Sequence, residues 1–298
     1  MLPPNLDELD AYKDYAQITD PYVGAVKDPY SGLVFYELSH EWGTGVPSYP
    51  GDADVIFDHG VKHAQFGVQA FKIRTNFHTG THFIAPIHMY CYGADLEKLT
   101  TDHFFGNGVI LDLRNKKNWD KITADDLKAA GTIKEGDMVA INTGWHHKYS
   151  DSMEYFGEAP GLTLDAAEYL ISKKVKLVAV DMPYVDCPIT TVLTPHVGKP
   201  GPFMKRLVPI YKEKTGREAH EDYPGFYPAH KALAKAGNSA FNGIEWTERG
   251  GSCAESVRWN GAGTPELLFL DGALYDLSSG TPSFAMNTQT SAIPASRA

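Results

Sequence analysis

Cysteine is scarce in this sequence. The 298 residues contain three, Cys91, Cys187 and Cys253, an odd number at wide spacing. This argues against a disulfide framework, which secreted small domains need, and against a Cys-x2-Cys zinc site. The expected location is therefore the cytoplasm.

Basic charge and long apolar runs are also lacking. The chain has 27 Lys and Arg against 37 Asp and Glu, a net charge of -10, which argues against a nucleic-acid partner. No apolar run reaches the roughly 18 residues of a membrane span, and Met1–Asp10 has neither the basic nor the apolar part of a signal peptide. No Gly-x-Ser-x-Gly elbow occurs, so a serine hydrolase is not indicated.

Three histidines within eleven residues are the most informative feature that is present. They stand in residues 78–88, which read HTGTHFIAPIH. In an extended chain His78, His82, Ile84 and His88 point to one side, so the three imidazoles can face one cavity. Neutral imidazole is the commonest metal ligand and a frequent general base. The run predicts a site for Zn²⁺, Mn²⁺ or another divalent ion, or for acid–base chemistry.

This run resembles the His-x-Gly-Thr-His-x-Asp-x-Pro-x-His motif of the cyclase family, which includes bacterial kynurenine formamidases and isatin hydrolases. The likeness continues more thinly over about residues 33–190. It includes Leu38-Ser39, Tyr49-Pro50-Gly51, Thr143-Gly144-Trp145 and the strand that ends at Asp181. It implies a hydrolase that acts on an amide, formamide, lactone or cyclic imide.

The resemblance also implies roles for individual residues. His78 and His82 match metal ligands, and His88 is the candidate general base. His230, on a helix predicted at residues 226–237, matches the family helix that supplies another site histidine. Trp42 and Tyr49 are candidates for lining the substrate pocket.

Two positions depart from the family pattern. The family's metal-binding Asp is Ile84 here, and its metal-binding Glu falls on Asn242, so both become candidate substrate contacts. Neutral imidazoles do not offset the charge of two divalent ions, so at most one ion is expected and a metal-free site stays open. The third ligand is left open among two further histidines and five acids: His88, His230, Glu41, Glu221, Asp222, Glu245 and Glu248.

The predicted fold class is α/β, a single domain with a mixed β-sheet core and flanking helices, in the swivelling β/β/α arrangement that the resemblance implies. Strands are predicted at 33–39, 69–76, 108–113, 137–145 and 176–181. Helices are predicted at 123–130 and 163–171, the first with a Thr N-cap. Asp271-Gly272 predicts a hairpin between 267–270 and 273–277.

Three segments stand apart from this core. Residues 1–30 are predicted to wrap the surface, and 278–298 to form a poorly ordered tail. Residues 196–225 are expected to form an inserted loop or lid. Its basic residues up to 217, with only Glu213 as counter-charge, favour an anionic substrate, and a solvated loop is the alternative.

Three functions follow from the sequence. The first is a hydrolase whose water is activated at a histidine-rich metal site. The second is a metal-free isomerase, lyase or cyclase that uses the histidines for proton transfer. The third is a non-catalytic binder of a small ligand. In each case the expected partners are a small molecule and further copies of the chain, as a homodimer or homotetramer, with no nucleic acid and no membrane.

Overall fold

The structure, a computed structural model, describes residues 26–191, 202–239, 252–255, 267–270 and 273–276. The strands are Val26–Lys27 (β1), Val34–Glu37 (β2), Ile56–Val61 (β3), Ala70–Arg74 (β4), His82–Ile84 (β5), Asn107–Asp112 (β6), Lys121–Ile122 (β7), Met138–Asn142 (β8), Gly161–Leu162 (β9), Leu177–Val180 (β10), Ser252–Glu255 (β11), Leu267–Leu270 (β12) and Ala273–Asp276 (β13). The α-helices are His63–Phe66 (α1), Ala124–Ala130 (α2), Met153–Gly157 (α3), Leu164–Ser172 (α4), Pro202–Thr215 (α5), Ala219–Asp222 (α6) and Pro228–Ser239 (α7). Short 3₁₀ helices span Pro86–His88, Leu96–Lys98, Thr101–Phe104, Trp145–Lys148 and Pro188–Thr191.

A nine-stranded mixed sheet forms the centre, in the order β1-β2-β13-β12-β6-β8-β10-β11-β5. Strands β6, β8, β10 and β11 are parallel, whereas β5 joins β11 antiparallel at one edge. The central strands β8 and β10 are almost wholly buried, which explains their continuous apolar runs, because strands covered on both faces do not alternate. The predicted α/β class with a mixed sheet is confirmed.

Helices pack on one face of this sheet and enclose the larger part of the core. Side chains of β8 and β10, such as Val139 and Val178, meet Leu127 of α2, Leu170 of α4 and Leu233 of α7 in one buried cluster. The opposite face carries a smaller buried cluster that contains Leu38, Met138, Ala140, Leu177 and Ala179. The helical layer therefore holds α7, which carries His230, against the sheet.

The predicted local signals act as expected in the described elements. Thr123 and Asp126 form a reciprocal capping box at the start of α2. Strands β12 and β13 pair antiparallel on either side of Asp271-Gly272. Residues 1–25 and 278–298 lie outside the described residues, whereas Val26 and Lys27 pair with β2 at the edge of the sheet. The division into domains therefore stays a prediction.

The segment expected to be an inserted loop is largely helical where the structure describes it. Helices α5 and α6 occupy most of residues 202–222, because Leu207, Tyr211 and Ala219 bury an apolar stripe against Trp119. Residues 192–201 lie outside the described ranges.

Three basic residues of this segment have acidic partners that the sequence did not reveal. Lys212 pairs with Glu218, Lys214 with Glu158, and Arg217 with Asp222. The fold thus partly offsets the positive excess that favoured an anionic substrate. None of the described helices has the length and apolar character needed to cross a membrane.

Candidate active site

The histidine run lies at the edge of the sheet where the parallel strands end. Strand β11 is parallel to β10, and β5 is antiparallel to β11. His82, the first residue of β5, therefore lies at the carboxyl-terminal ends of β10 and β11. Ligands of open α/β sheets bind at this edge.

A tight turn before β5 sets the orientation of two histidines. Gly80 has a φ of 64°, and a Cβ at this position would stand 3.1 Å from the Trp42 ring, so glycine is required both by the backbone and by the space. The Gly80 carbonyl accepts a hydrogen bond from His82 Nδ1 at 2.9 Å. That bond leaves His82 Nε2 as an acceptor, and it lies 3.1 Å from His78 Nδ1.

Four histidines converge on this place. The ring centroid of His78 lies 5.2 Å from that of His82 and 4.5 Å from that of His88. His230, on α7, lies 5.8 Å from His88, centroid to centroid. The structure thus brings together the four histidines that the sequence assigned to the site.

Burial holds these imidazoles in their neutral form. It lowers the pKa of His82 to about 4 and that of His230 to about 3, and the neighbouring imidazoles act in the same direction. The pKa of His88 is also lowered to about 4, first by desolvation and then by His78. Because His88 is exposed, water screens part of this effect. All four side chains are therefore neutral at neutral pH, which is the form in which imidazole binds a cation.

Aromatic side chains border the cluster. The backbone N–H of Tyr49 donates to the His78 carbonyl at 3.1 Å, and its ring lies 6.2 Å from His78 and edge-on to Tyr184 at 5.8 Å. Trp42 contacts the Gly80 position and packs edge-on against Phe57. Ile84 is buried, 5% exposed. Asn242 lies outside the described residues.

Comparison with known proteins identifies the family. The sequence model of the family named Cyclase matches residues 36–187. This chain belongs to the cyclase family. Kynurenine formamidases of Bacillus cereus (strain ATCC 14579) and Bacillus mycoides (strain KBAB4) are each 26% identical to it over 151 residues, which make up 50% of this chain and 69% of theirs.

Solved structures agree with the fold. Isatin hydrolase A from Labrenzia aggregata, bound to benzyl benzoate, superposes with a TM-score of 0.58 at 15% identity and covers 88% of this chain and 91% of its own. A protein described as a potential metal-dependent hydrolase with cyclase activity superposes with a TM-score of 0.53 at 22% identity, over 82% of this chain and 98% of its own. The resemblance seen in the sequence is confirmed, and this cyclase-family chain is a hydrolase.

The donor atoms fit half of a metal site in the described residues. Two nitrogens bound to one cation at about 2.0–2.1 Å in a tetrahedral site lie about 3.3–3.4 Å apart, slightly more than the hydrogen-bond distance of 3.1 Å between His78 Nδ1 and His82 Nε2. No set of three His, Cys, Asp or Glu side chains able to hold a metal occurs among the residues whose side chains the structure describes, which exclude 252–255. A metal site with three protein ligands would therefore need one beyond these side chains.

Most of the acidic candidates for that ligand lie elsewhere. Asp222 accepts a hydrogen bond from Tyr211 and pairs with Lys121 and Arg217. Glu41 and Glu221 are exposed. Glu245 and Glu248 lie outside the described residues. The sheet instead places Glu255 of β11 at the register position opposite His82, and Cys253 opposite Ile84.

Sequence reasoning missed three residues beside the histidines. Tyr149 stacks on His40 at 3.6 Å, and its hydroxyl lies 3.7 Å from the position a Cβ on Gly80 would take. That hydroxyl is buried and has no hydrogen-bond partner among the described residues. Tyr184 borders Tyr49, and Asp186 receives backbone bonds from the start of α7. No local signal in the sequence indicates these residues, because tertiary packing alone brings them to the site.

Proposed function

We propose that this cyclase-family hydrolase cleaves the C–N bond of a small aryl formamide or cyclic amide at a single-metal site. The observation that carries the proposal is the convergence of His78, His82, His88 and His230, with two imidazole nitrogens near the spacing that one cation needs. The names of its relatives, kynurenine formamidase and isatin hydrolase, support the substrate class. The aromatic border of Tyr49, Tyr184 and Trp42 suits a flat aromatic substrate.

His78 and His82 are the ligands we propose for the metal. The third ligand stays open, and Glu255, which pairs with His82 in the backbone register of β5 and β11, is the acid to test first. A divalent ion bound there would lower the pKa of a water and polarise the scissile carbonyl.

His88 is the general base in this proposal. It lies beside His78, at 4.5 Å between ring centroids, and its exposed position leaves it open to an incoming substrate and water. It accepts the proton of the attacking water and returns it to the leaving nitrogen. His230 stays neutral and buried behind it, and donates or accepts one hydrogen bond to hold the reacting group.

The direct test is hydrolysis of an aryl formamide and of isatin by purified protein, before and after chelation and with Zn²⁺ or Mn²⁺ restored. We expect turnover that chelation abolishes and one equivalent of metal restores. His88→Ala should lower kcat by about 100-fold or more while metal content is kept, since general-base groups contribute about 10²–10⁴-fold. Full activity in the chelated protein would favour the metal-free reaction instead.

The ligand assignment has its own test. Glu255→Gln should weaken Zn²⁺ binding at least about tenfold in a competition titration, because the charge of the ligand set is lost. Glu41→Gln, an exposed acid of the loop after β2, is the matched control and should leave Zn²⁺ affinity unchanged. Equal affinities for the two variants would remove Glu255 from the ligand set.

We also propose that the chain works as a homo-oligomer through the β3–β4 hairpin, a two-stranded sheet that exposes large apolar side chains. Phe66 is 70% exposed, and Val68, Ile73, Ile56 and Phe71 are exposed as well. Phe77, three residues after β4, is 91% exposed. The hairpin adjoins the site, since Phe57 packs on Trp42. A second copy bound there would lie next to the substrate pocket.

A further inference from the structure

Helix α7 begins without a conventional cap of its own. The first helical residue is Pro228, which suits that position, but the residue before it is Tyr227, held at a φ of 48°. A tyrosine does not offer the short side-chain oxygen with which Ser, Thr, Asp or Asn bonds the second and third N–H groups of a helix. Those groups belong here to Ala229 and His230.

A distant carboxylate takes the place of the cap. Asp186 Oδ1 accepts the N–H of Ala229 at 2.8 Å, and Oδ2 accepts the N–H of His230 at 2.9 Å. Asp186 is fully buried, and an acidic group at a helix N-terminus is favoured by the helix dipole. The first turn of α7 is thereby tied to a segment more than 40 residues earlier in the chain.

The segment that carries Asp186 is itself fixed. Leu162 of β9 bridges to Asp186, and the Leu162 N–H donates to the Val185 carbonyl at 2.8 Å. A Cβ on Gly161 would stand 1.9 Å from the Cys187 nitrogen, so the two backbones are in close contact and the segment has no room to shift toward β9. Asp186 is therefore a fixed point relative to the core, not a mobile surface acid.

We propose that Asp186 is a positioning residue for His230: it anchors the first turn of α7 so that the His230 imidazole stays beside His88 in the active site. The inference rests on the proposed function for the role of His230. The reason for its importance is geometric. His230 reaches the cluster from a helix that is separate from the histidine run, and a displacement of about 1 Å at a reacting group can cost about 100-fold in rate.

A double-mutant cycle tests the proposal on the intact, metal-loaded protein with an aryl formamide. Asp186→Ala should lower kcat/KM by about 10- to 100-fold, the usual loss when a residue that orients a site group is removed, and mostly through kcat. Asp186→Asn keeps one acceptor oxygen and should retain intermediate activity, and it serves if the alanine variant folds poorly. In a His230→Gln background, either change should cost less than about threefold, because the residue it positions is gone.

Asp126 supplies the matched control. It accepts the Thr123 N–H at 2.8 Å at the start of α2, a helix that carries no histidine. Asp126→Ala should lower the melting temperature, and its small effect on activity should be the same in the His230→Gln background as in the parent chain. If the losses from Asp186→Ala and His230→Gln multiply, Asp186 acts independently of His230 and the proposal is overturned.

A second readout separates this inference from the proposed function. In protein labelled with ¹⁵N-histidine, Asp186→Asn should shift the ring signals of His230 and leave those of His59 on the exposed hairpin unchanged. That result would support positioning even if neither amide substrate were hydrolysed. Unchanged His230 signals would overturn it, whatever the activity.

Discussion

At the scale of single residues, the main departure from the family motif is Ile84, which stands where the motif has an aspartate. Ile84 is buried in β5, two residues after His82 and therefore on the same side of the strand. An apolar side chain there removes one negative charge from the surroundings of any bound cation. A compensating charge would have to come from another part of the chain, which is why we test Glu255, at the register position opposite His82.

Restoring the aspartate should strengthen metal binding. Ile84→Asp is expected to raise Zn²⁺ affinity by about tenfold or more, since an anionic ligand offsets the charge of the ion. The metal-free variant should be less stable by about 2–5 kcal/mol, because a buried apolar side chain is exchanged for an acid. Isothermal titration and urea unfolding measure the two effects, with Ile84→Val as the control that changes shape alone. Unchanged affinity would mean that Ile84 does not face the ion.

The buried histidines should make the metal-free protein sensitive to acid. The pKa of His230 is about 3 in the folded chain, against an ordinary 6.5, so below pH 6.5 the unfolded chain binds a proton that the folded chain does not. The contribution of neutral His230 to the free energy of unfolding is fully present above pH 6.5. It falls as the pH drops toward 3, and at pH 5 about 2 kcal/mol is lost for this residue alone. His82, with a pKa of about 4, acts in the same direction.

Urea unfolding of chelated protein at pH 7.5 and pH 5 measures this loss. His230→Phe, which removes the titrating group, should lose less stability between the two pH values than the parent chain does. The exposed His59→Gln is the control and should behave like the parent. An acid loss as large in His230→Phe as in the parent would assign the effect to other groups.

At the scale of elements, close backbone contacts hold the site. Strand β9 lies against the segment after β10 with no room for a side chain at Gly161. The same segment carries Tyr184, which borders the pocket, and Asp186, which anchors α7. Displacing β9 should therefore disturb both together.

Gly161→Ala tests this arrangement. The added Cβ would stand 1.9 Å from the Cys187 nitrogen and 2.3 Å from the Asp186 carbonyl carbon, so the two segments must separate. We expect a loss of about 1–3 kcal/mol in the free energy of unfolding, the usual cost of overpacking, together with lower activity. Gly136→Ala, at a glycine with open space around it, should lose stability through its positive φ yet keep activity per folded molecule. Equal activity in the two variants would contradict a link between β9 and the site.

At the scale of the whole molecule, the β3–β4 hairpin is the least buried part of the described sheet structure. All five residues of β4 are exposed, and most of those in β3 are too. Soluble monomers rarely expose so many clustered apolar side chains, whereas interfaces between subunits do. This favours a second copy of the chain as the covering partner.

Light scattering after size exclusion checks the assembly. The parent chain is expected to run as a dimer or tetramer, and Phe71→Glu with Ile73→Glu should shift it toward the monomer, because buried charge opposes association. Tyr30→Glu is the control, since Tyr30 is 97% exposed and lies outside the hairpin. A parent chain that stays monomeric at micromolar concentration would exclude this assembly.

The sequence by itself determined the parts whose signals are local. The apolar runs predicted β8 and β10, the Thr N-cap predicted the start of α2, and Asp271-Gly272 predicted the β12–β13 hairpin. The histidine run indicated the family and the first three imidazoles of the site. The elements follow from periodicity, capping or turn signals within a few residues of the chain, and the family from the resemblance of the histidine run to a known motif.

Only the tertiary structure decided which distant groups meet. It placed Glu255 opposite His82, tied Asp186 to the first turn of α7, and paired Lys214 with Glu158 where the sequence had indicated a free basic segment. These contacts depend on strand order and helix packing, which join residues far apart in the chain. Such pairs produce no periodic pattern in the amino-acid sequence. Sequence spacing could therefore propose the histidines, whereas the fold was needed to show what holds them in place.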